Sequence, residues 1–287
     1  MNRILETLSE EARRTNQNLY HIAVTDRDFV TEETEILPSN PCNDWYSVAK
    51  AFTATAVGLL YDRGLLSLED KVTDILKGEA APAEDERWNR LTLRHALTHR
   101  CGLPGGYLDI DVYDLNSFGT NDLLSYLFRT PLGCEPGTEY CYTDAAYYLL
   151  ARVAEKVSGM RTDVFLWKEL LSPLGVREAA FSVCPLGHVM GATGMYMRAG
   201  DVSKLGAVYA NGGYWKNKRL LSGEWIREAT ENRCGFNPNA DGLIWAKGGM
   251  YGQQLAFAPS TGLGIAWHGF KTDSKALNNR MIEELSR

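Results

Sequence analysis

SVAKAFTATAVGLLYDR, residues 47–63, is the stretch on which the fold assignment turns. Ser47 and Lys50 stand where an irregular, polar segment, residues 40–44, gives way to an unbroken helical pattern. Three positions apart on a helix is one face, so the hydroxyl and the amine can meet. A serine hydroxyl attacks a carbonyl only when a base takes its proton, and an adjacent lysine can serve if its own proton has been removed. The helix N-terminus adds free backbone N–H groups and the positive end of the helix dipole, both suited to a developing oxyanion. Taken alone, S-x-x-K equally describes an N-capping serine followed by a solvent-facing lysine, so the pattern needs partners elsewhere in the chain.

Outward from that helix, periodicity predicts a helix over 4–14 and strands over 20–25 and 29–36, joined by the turn Asp26-Arg27-Asp28. Further helices are predicted near 92–99, 122–128, 144–157, 162–171, 199–211 and 223–231. After Gly242 the texture changes to short apolar runs at 243–249, 253–258 and 264–268, separated by glycine-rich turns and Pro259-Ser260-Thr261-Gly262. A helix over 274–285 follows. Strands at both ends with helices between them predict an α+β fold with one antiparallel sheet of about five strands, flanked by terminal helices. On this reading residues 1–46 and 235–287 form the sheet region and 47–234 a mostly helical one. The two act as one catalytic unit with its site in the crevice between them.

Size and composition suit an enzyme. The 287 residues suffice to bury a core around a rigid site, and 45% apolar and 23% charged side chains are ordinary for a globular protein. With 36 acidic against 30 basic residues and no basic cluster, a nucleic-acid partner has no electrostatic footprint. No eighteen-residue apolar run occurs, so no membrane partner is expected, and the mixed polarity of residues 1–18 lacks the apolar core of an export signal. The expectation is a cytoplasmic protein. Cys42, Cys101, Cys134, Cys141, Cys184 and Cys234 form no C-x-x-C or metal spacing and read as reduced thiols, and no cofactor or metal is called for.

Two further segments carry chemistry. Tyr142-Thr143-Asp144 stands at a loop–helix junction, a pattern that fits plain helix capping and equally a functional reading in which the tyrosine relays a proton and the aspartate bonds a lysine or the substrate. Lys247-Gly248-Gly249, followed by Met250, begins a strand in which glycines mark a close approach. Alone, a lysine there reads more often as a solvated surface residue; in a site it would attract a carboxylate and, by like-charge repulsion, lower the pKa of Lys50. His95 and His99 lie one turn apart but read as packing residues rather than metal ligands, and His268-Gly269 and Lys271-Thr272-Asp273 read as structural. No G-x-S-x-G elbow, H-E-x-x-H, Walker A or dinucleotide fingerprint is present.

The three segments, in this order, resemble the S-x-x-K, Y-x-N and K-T-G or H-x-G motifs of the serine β-lactamase and penicillin-binding protein superfamily, its class C and esterase-like branch in particular. TLRHALTHRCGLP at 92–104 is similar to that family's LRHLLTHTSGLP, EPGTEYCYTDAAYYLL at 135–150 to its PGTxFxYSNxGYxLL, and 247–267 to its K-T-G strand pair. Segments 192–201 and 211–225 also match, so the resemblance spans about residues 45–268. It implies Ser47 as nucleophile, Lys50 with Tyr142 as general base, and the amides of Ser47 and Met250 as oxyanion hole. Asp144, Lys247, Gly248, Gly249 and Met250 would line the substrate site. Two departures bear on the substrate. Asp144 replaces the asparagine whose amide meets an acyl-amide group, and would hold Lys50 charged; Gly248 replaces the threonine hydroxyl of K-T-G. With the absent export signal they favour an esterase or amidase acting on a small molecule through an acyl-enzyme. The alternatives are a catalytically idle ligand-binding relative and a true β-lactamase or D-Ala-D-Ala peptidase.

Overall fold

The structure, a computed structural model, describes residues 2–239 and 242–286. The Asn2 side chain caps helix Arg3–Arg14 by accepting from the Ile4 amide at 3.0 Å. Strands Leu19–Thr25 and Thr31–Glu35 follow as a hairpin whose turn is closed by the Asp26 carboxylate, an acceptor for the Asp28 and Val30 amides at 2.9 Å. The main sheet is antiparallel throughout, in the order Thr31–Glu35, Leu19–Thr25, Leu263–Gly269, Gln254–Ala258, Trp245–Gly248, Asn237–Pro238. The two ends of the chain therefore meet at its centre, where Ile22 pairs with Trp267 and Val24 with Ile265. The two-residue strand Asn237–Pro238 makes six strands where about five were expected.

The central strands read as continuous apolar runs because both sheet faces are covered. Ile22, Val24, Ile265 and Trp267 face the terminal helices Arg3–Arg14 and Ser274–Leu285 and pack with Leu5, Leu8, Leu277 and Met281. Ala23, Leu255, Phe257 and Ala266 face the other way, into the larger core. There the covering helix is Ala199–Ala210, drawn from the middle of the chain. It lies so close that a Cβ on Gly264 would stand 2.1 Å from the Ala207 nitrogen, and one on Gly206 would stand 2.7 Å from the Ala256 oxygen. Only two glycines permit that backbone-on-backbone contact.

Helix Ala49–Tyr61 is buried on every side from Ala49 to Leu60, which explains why its sequence shows no polar stripe. It packs on helix Asp144–Ser158, and each fully buried leucine or phenylalanine in this core contributes on the order of 2 kcal/mol. Residues 162–171 form the expected helix, but its second half, Trp167–Leu171, is π-helical. The segment read as irregular before Ser47 instead contains strand Cys42–Asp44, paired with Met195–Arg198, which pairs in turn with Ala179–Phe181. Three polar residues are too few to display an alternating pattern, so long-range pairing alone reveals this strand.

Candidate active site

Ser47 sits in a single 3-10 turn, Tyr46–Val48, that leads into helix Ala49–Tyr61. The small three-stranded sheet fixes its approach. The Trp45 amide donates to Met195 O at 2.9 Å, its indole Nε1 donates to Met197 O at 2.8 Å, and the Tyr46 amide donates to the Asp44 carboxylate at 2.8 Å. Tyr46 is held at φ +46°, a left-handed conformation that costs a non-glycine residue on the order of 1 kcal/mol. Lys50 follows one turn later, fully buried. Its Nζ donates to Ser47 Oγ at 2.9 Å and to Ala192 O at 2.9 Å, and lies 2.7 Å from Asp144 Oδ1. Three protons thus meet three acceptors.

Tyr142 arrives on the loop before helix Asp144–Ser158, and its Oη donates to Ser47 Oγ at 2.8 Å. The ring rests against His99, centroid to centroid 4.3 Å, while His99 Nδ1 accepts from the Thr143 amide at 3.4 Å. Lys247, on strand Trp245–Gly248 and 8% exposed, donates to Tyr142 Oη at 3.4 Å. Both lysine nitrogens lie 4.9 Å from the Tyr142 ring centroid. The three sequence segments therefore converge on one proton network.

The two lysines differ electrically. Burial pulls the Lys50 pKa down, but the Asp144 carboxylate and Tyr142 outweigh it and the net direction is up. Among the described residues Lys247 has no ion-pair partner; burial, then repulsion by Lys50, outweighs the pull of the Asp144 carboxylate and brings it down to about 7. The like-charge effect expected to fall on Lys50 falls on Lys247, because Asp144 holds Lys50 in its charged form. Burial also drives His99 down to about 2, so it faces Tyr142 as a neutral ring.

Ser47, Tyr142, Asp144, Lys247, Gly248, Gly249 and Met250 line one cavity of about 350 Å³. A Cβ on Gly249 would stand 2.8 Å from Trp45 O, so the close approach marked by this glycine is by the protein's own backbone, whereas Gly248 meets nothing nearer than 3.4 Å. Among the described residues, the Ser47 and Met250 amides donate to no acceptor. The same cavity is walled by Asp109 and Asp111, from a loop whose shape one sequence does not give. Carboxylate oxygens of Asp109, Asp111 and Asp144 lie within 4.8 Å of one another. The single Thr193 O–H is shared between the two Asp111 carboxylate oxygens, at 2.8 and 2.7 Å, and burial with repulsion from Asp144, Asp44 and Asp109 raises Asp111 to about 6. The only sequence signal for this wall was an Asp-Ile-Asp triplet in an unpatterned stretch.

Comparisons with known proteins bear on the family of this chain. The family described as Beta-lactamase matches residues 42–282. The chain belongs to that family. Among curated Beta-lactamase family relatives, Penicillin-binding protein 4* of Bacillus subtilis (strain 168) is 32% identical over 151 residues, which cover 51% of this chain and 32% of the relative. Esterase EstB of Burkholderia gladioli is 31% identical over 146 residues, 47% of this chain and 37% of the relative. The chain thus spans about a third of the length of these relatives. The fold is that of a family VIII carboxylesterase crystal structure, with a TM-score of 0.79 at 17% identity, covering 99% of this chain and 96% of the other.

The remaining sequence candidates lie in structural positions. His95 Nδ1 accepts from the Thr92 amide at 3.3 Å and completes the cap of helix Leu93–Leu97. His268 is fully buried between His21, Tyr20 and Trp45, and burial lowers it to about 3. Thr272 donates to Asn18 O, and Asp273 caps helix Ser274–Leu285. All six cysteines are free thiols. Among the described residues no helix is long and apolar enough to cross a membrane.

Proposed function

We propose that this protein is a serine hydrolase that cleaves a small ester or amide through an acyl-enzyme on Ser47. One observation carries the proposal: Ser47 Oγ is held by two donors at once, Lys50 Nζ at 2.9 Å and Tyr142 Oη at 2.8 Å, at the edge of a cavity. Ser47 Oγ bonds to the substrate carbonyl carbon while its proton leaves through Tyr142. The carbonyl oxygen becomes an oxyanion facing the Ser47 and Met250 amides, each such donor contributing on the order of 3 kcal/mol. The scissile C–O or C–N bond then breaks, and its oxygen or nitrogen takes the proton back. Water attacks the acyl carbon by the same route and Ser47 Oγ leaves, reprotonated. Lys50 acts as a fixed ammonium beside Ser47 Oγ. The wall of Asp109, Asp111 and Asp144 favours a neutral or cationic acyl group on that side over an anionic one. The missing hydroxyl at Gly248 favours esters and simple amides over the carboxylate-bearing lactams of a β-lactamase or D-Ala-D-Ala peptidase.

Incubation with a fluorophosphonate followed by intact-mass measurement gives a single adduct that Ser47→Ala abolishes. No adduct, together with no turnover across esters, amides and lactams, would sink the proposal. The buried Lys50–Asp144 pair favours one second reading, a relative that binds a ligand without acylation; thermal stabilisation by a ligand with no adduct would select it.

A further inference from the structure

Lys50 has no acceptor role left to play. All its protons are engaged, one of them by a carboxylate at 2.7 Å, and it is sealed from solvent, so removing a proton means splitting a buried ion pair. Lys247 presents the opposite geometry. Its Nζ is nine-tenths buried, among the described residues it has no ion-pair partner, and its one hydrogen bond is to Tyr142 Oη at 3.4 Å. Tyr142 Oη in turn touches Ser47 Oγ at 2.8 Å. Serine, phenol and amine are therefore joined in series through Tyr142 Oη. We infer that Lys247, not Lys50, is the final acceptor of the Ser47 proton, reached through Tyr142.

The step balances. With Lys247 as the free amine, Ser47 Oγ bonds to the carbonyl carbon, the Ser47 proton moves to Tyr142 Oη, and the Tyr142 proton moves to Lys247 Nζ. The carbonyl π pair becomes the oxyanion. On collapse the leaving oxygen or nitrogen takes a proton from Tyr142, which recovers one from Lys247. The groups facing Lys247 are Lys50 and Asp144, whose charges oppose each other, neutral His99 on the far side of Tyr142, and Arg100 and Arg233 in the cavity of about 570 Å³ that Lys247 also lines. Burial and Lys50 bring Lys247 to about 7, so about half of it is free amine at pH 7, against roughly one in 2,500 for an ordinary lysine.

This inference rests on the acyl-enzyme proposal, and the test separates the two. The wild-type kcat/KM for a p-nitrophenyl ester, followed from pH 5 to 9, should fall about tenfold per pH unit below pH 7. Lys247→Arg keeps the charge but cannot give up its proton, and should lose about 100-fold above pH 7 and show no acid limb below it. Lys247→Ala should lose a similar amount and be rescued by methylamine in proportion to its free-base concentration, while guanidinium has no effect. Rescue itself reports a folded protein. Full activity of Lys247→Arg, rescue by guanidinium as good as by methylamine, or an acid limb that survives in Lys247→Ala would each overturn the inference, leaving Lys247 a structural or purely electrostatic part. Absence of a fluorophosphonate adduct on wild-type Ser47 would overturn the acyl-enzyme proposal instead, and this inference with it.

Discussion

Lys50 and Lys247 reach the same tyrosine from different elements, one from the buried helix Ala49–Tyr61 and the other from strand Trp245–Gly248, and their nitrogens are equally far from its ring. What separates them is one carboxylate. Burial works against the charge on both, yet Asp144 raises Lys50 while Lys247, lacking such a partner, comes down to about 7. In a shared desolvated setting the nearest counter-charge, rather than the depth of burial, sorts a fixed cation from a titrating one.

The largest effect should come from removing the paired lysine. Lys50→Met leaves Asp144 buried without its partner, so unfolding in urea should show a loss of roughly 3 to 5 kcal/mol, with acylation of Ser47 undetectable. The double change Lys50→Met with Asp144→Leu should recover most of that stability and none of the activity. If the single change is as stable as wild type, the pair is not what distinguishes the two lysines.

Removing the other lysine should act in the opposite direction. Its folded-state pKa lies below the unfolded value of about 10.4, so between pH 7 and 10 the unfolded chain binds the extra proton and wild-type stability rises with pH. Below pH 7 the folded protein carries the full cost of an unpaired charge. Lys247→Met should therefore be more stable than wild type by roughly 3 kcal/mol at pH 6, a gap that narrows as the pH approaches 10. Equal stabilities across that range would show that Lys247 is not desolvated as its position implies.

The smallest effect concerns the acidic wall beside Lys50. β-Alanyl and butyryl p-nitrophenyl esters match in length and differ in charge. The β-alanyl ester should be preferred by about tenfold at pH 7.5, with the ratio shrinking as the pH drops through about 6, where Asp111 takes up its proton. Asp111→Asn should bring the ratio towards one. A ratio that ignores both pH and this substitution would remove the wall from substrate selection.

Most of the architecture was legible in the sequence because the sheet is built from short apolar runs bounded by turns, and because helices such as Gly223–Glu231 and Ser274–Leu285 carry their own caps and periodicity. Strand Cys42–Asp44 was not legible, being set by pairing with residues more than 150 positions away. At the site, Ser47, Lys50, Tyr142 and Lys247 could be named from motif spacing, whereas the direction of the lysine shifts could not. Asp144 was recognised as a carboxylate that would hold Lys50 charged; that Lys247 would then bear the repulsion follows only from the distances. Asp109 and Asp111 lie in a stretch with no periodicity, and only the folded loop turns them towards Ser47. His99, read as packing, proves to be the surface on which Tyr142 lies.

The pairing of Leu19–Thr25 with Leu263–Gly269 also imposes a timetable. During synthesis the first strand must wait, with one edge open, until residues 263–269 have left the ribosome. The strand bearing Lys247 joins the sheet through Gln254–Ala258, itself a neighbour of that late-arriving partner. A nascent chain that stops short of these strands thus holds Ser47, Lys50 and Tyr142 but not the docked Lys247, and the proton network is complete only after residue 269 has been made.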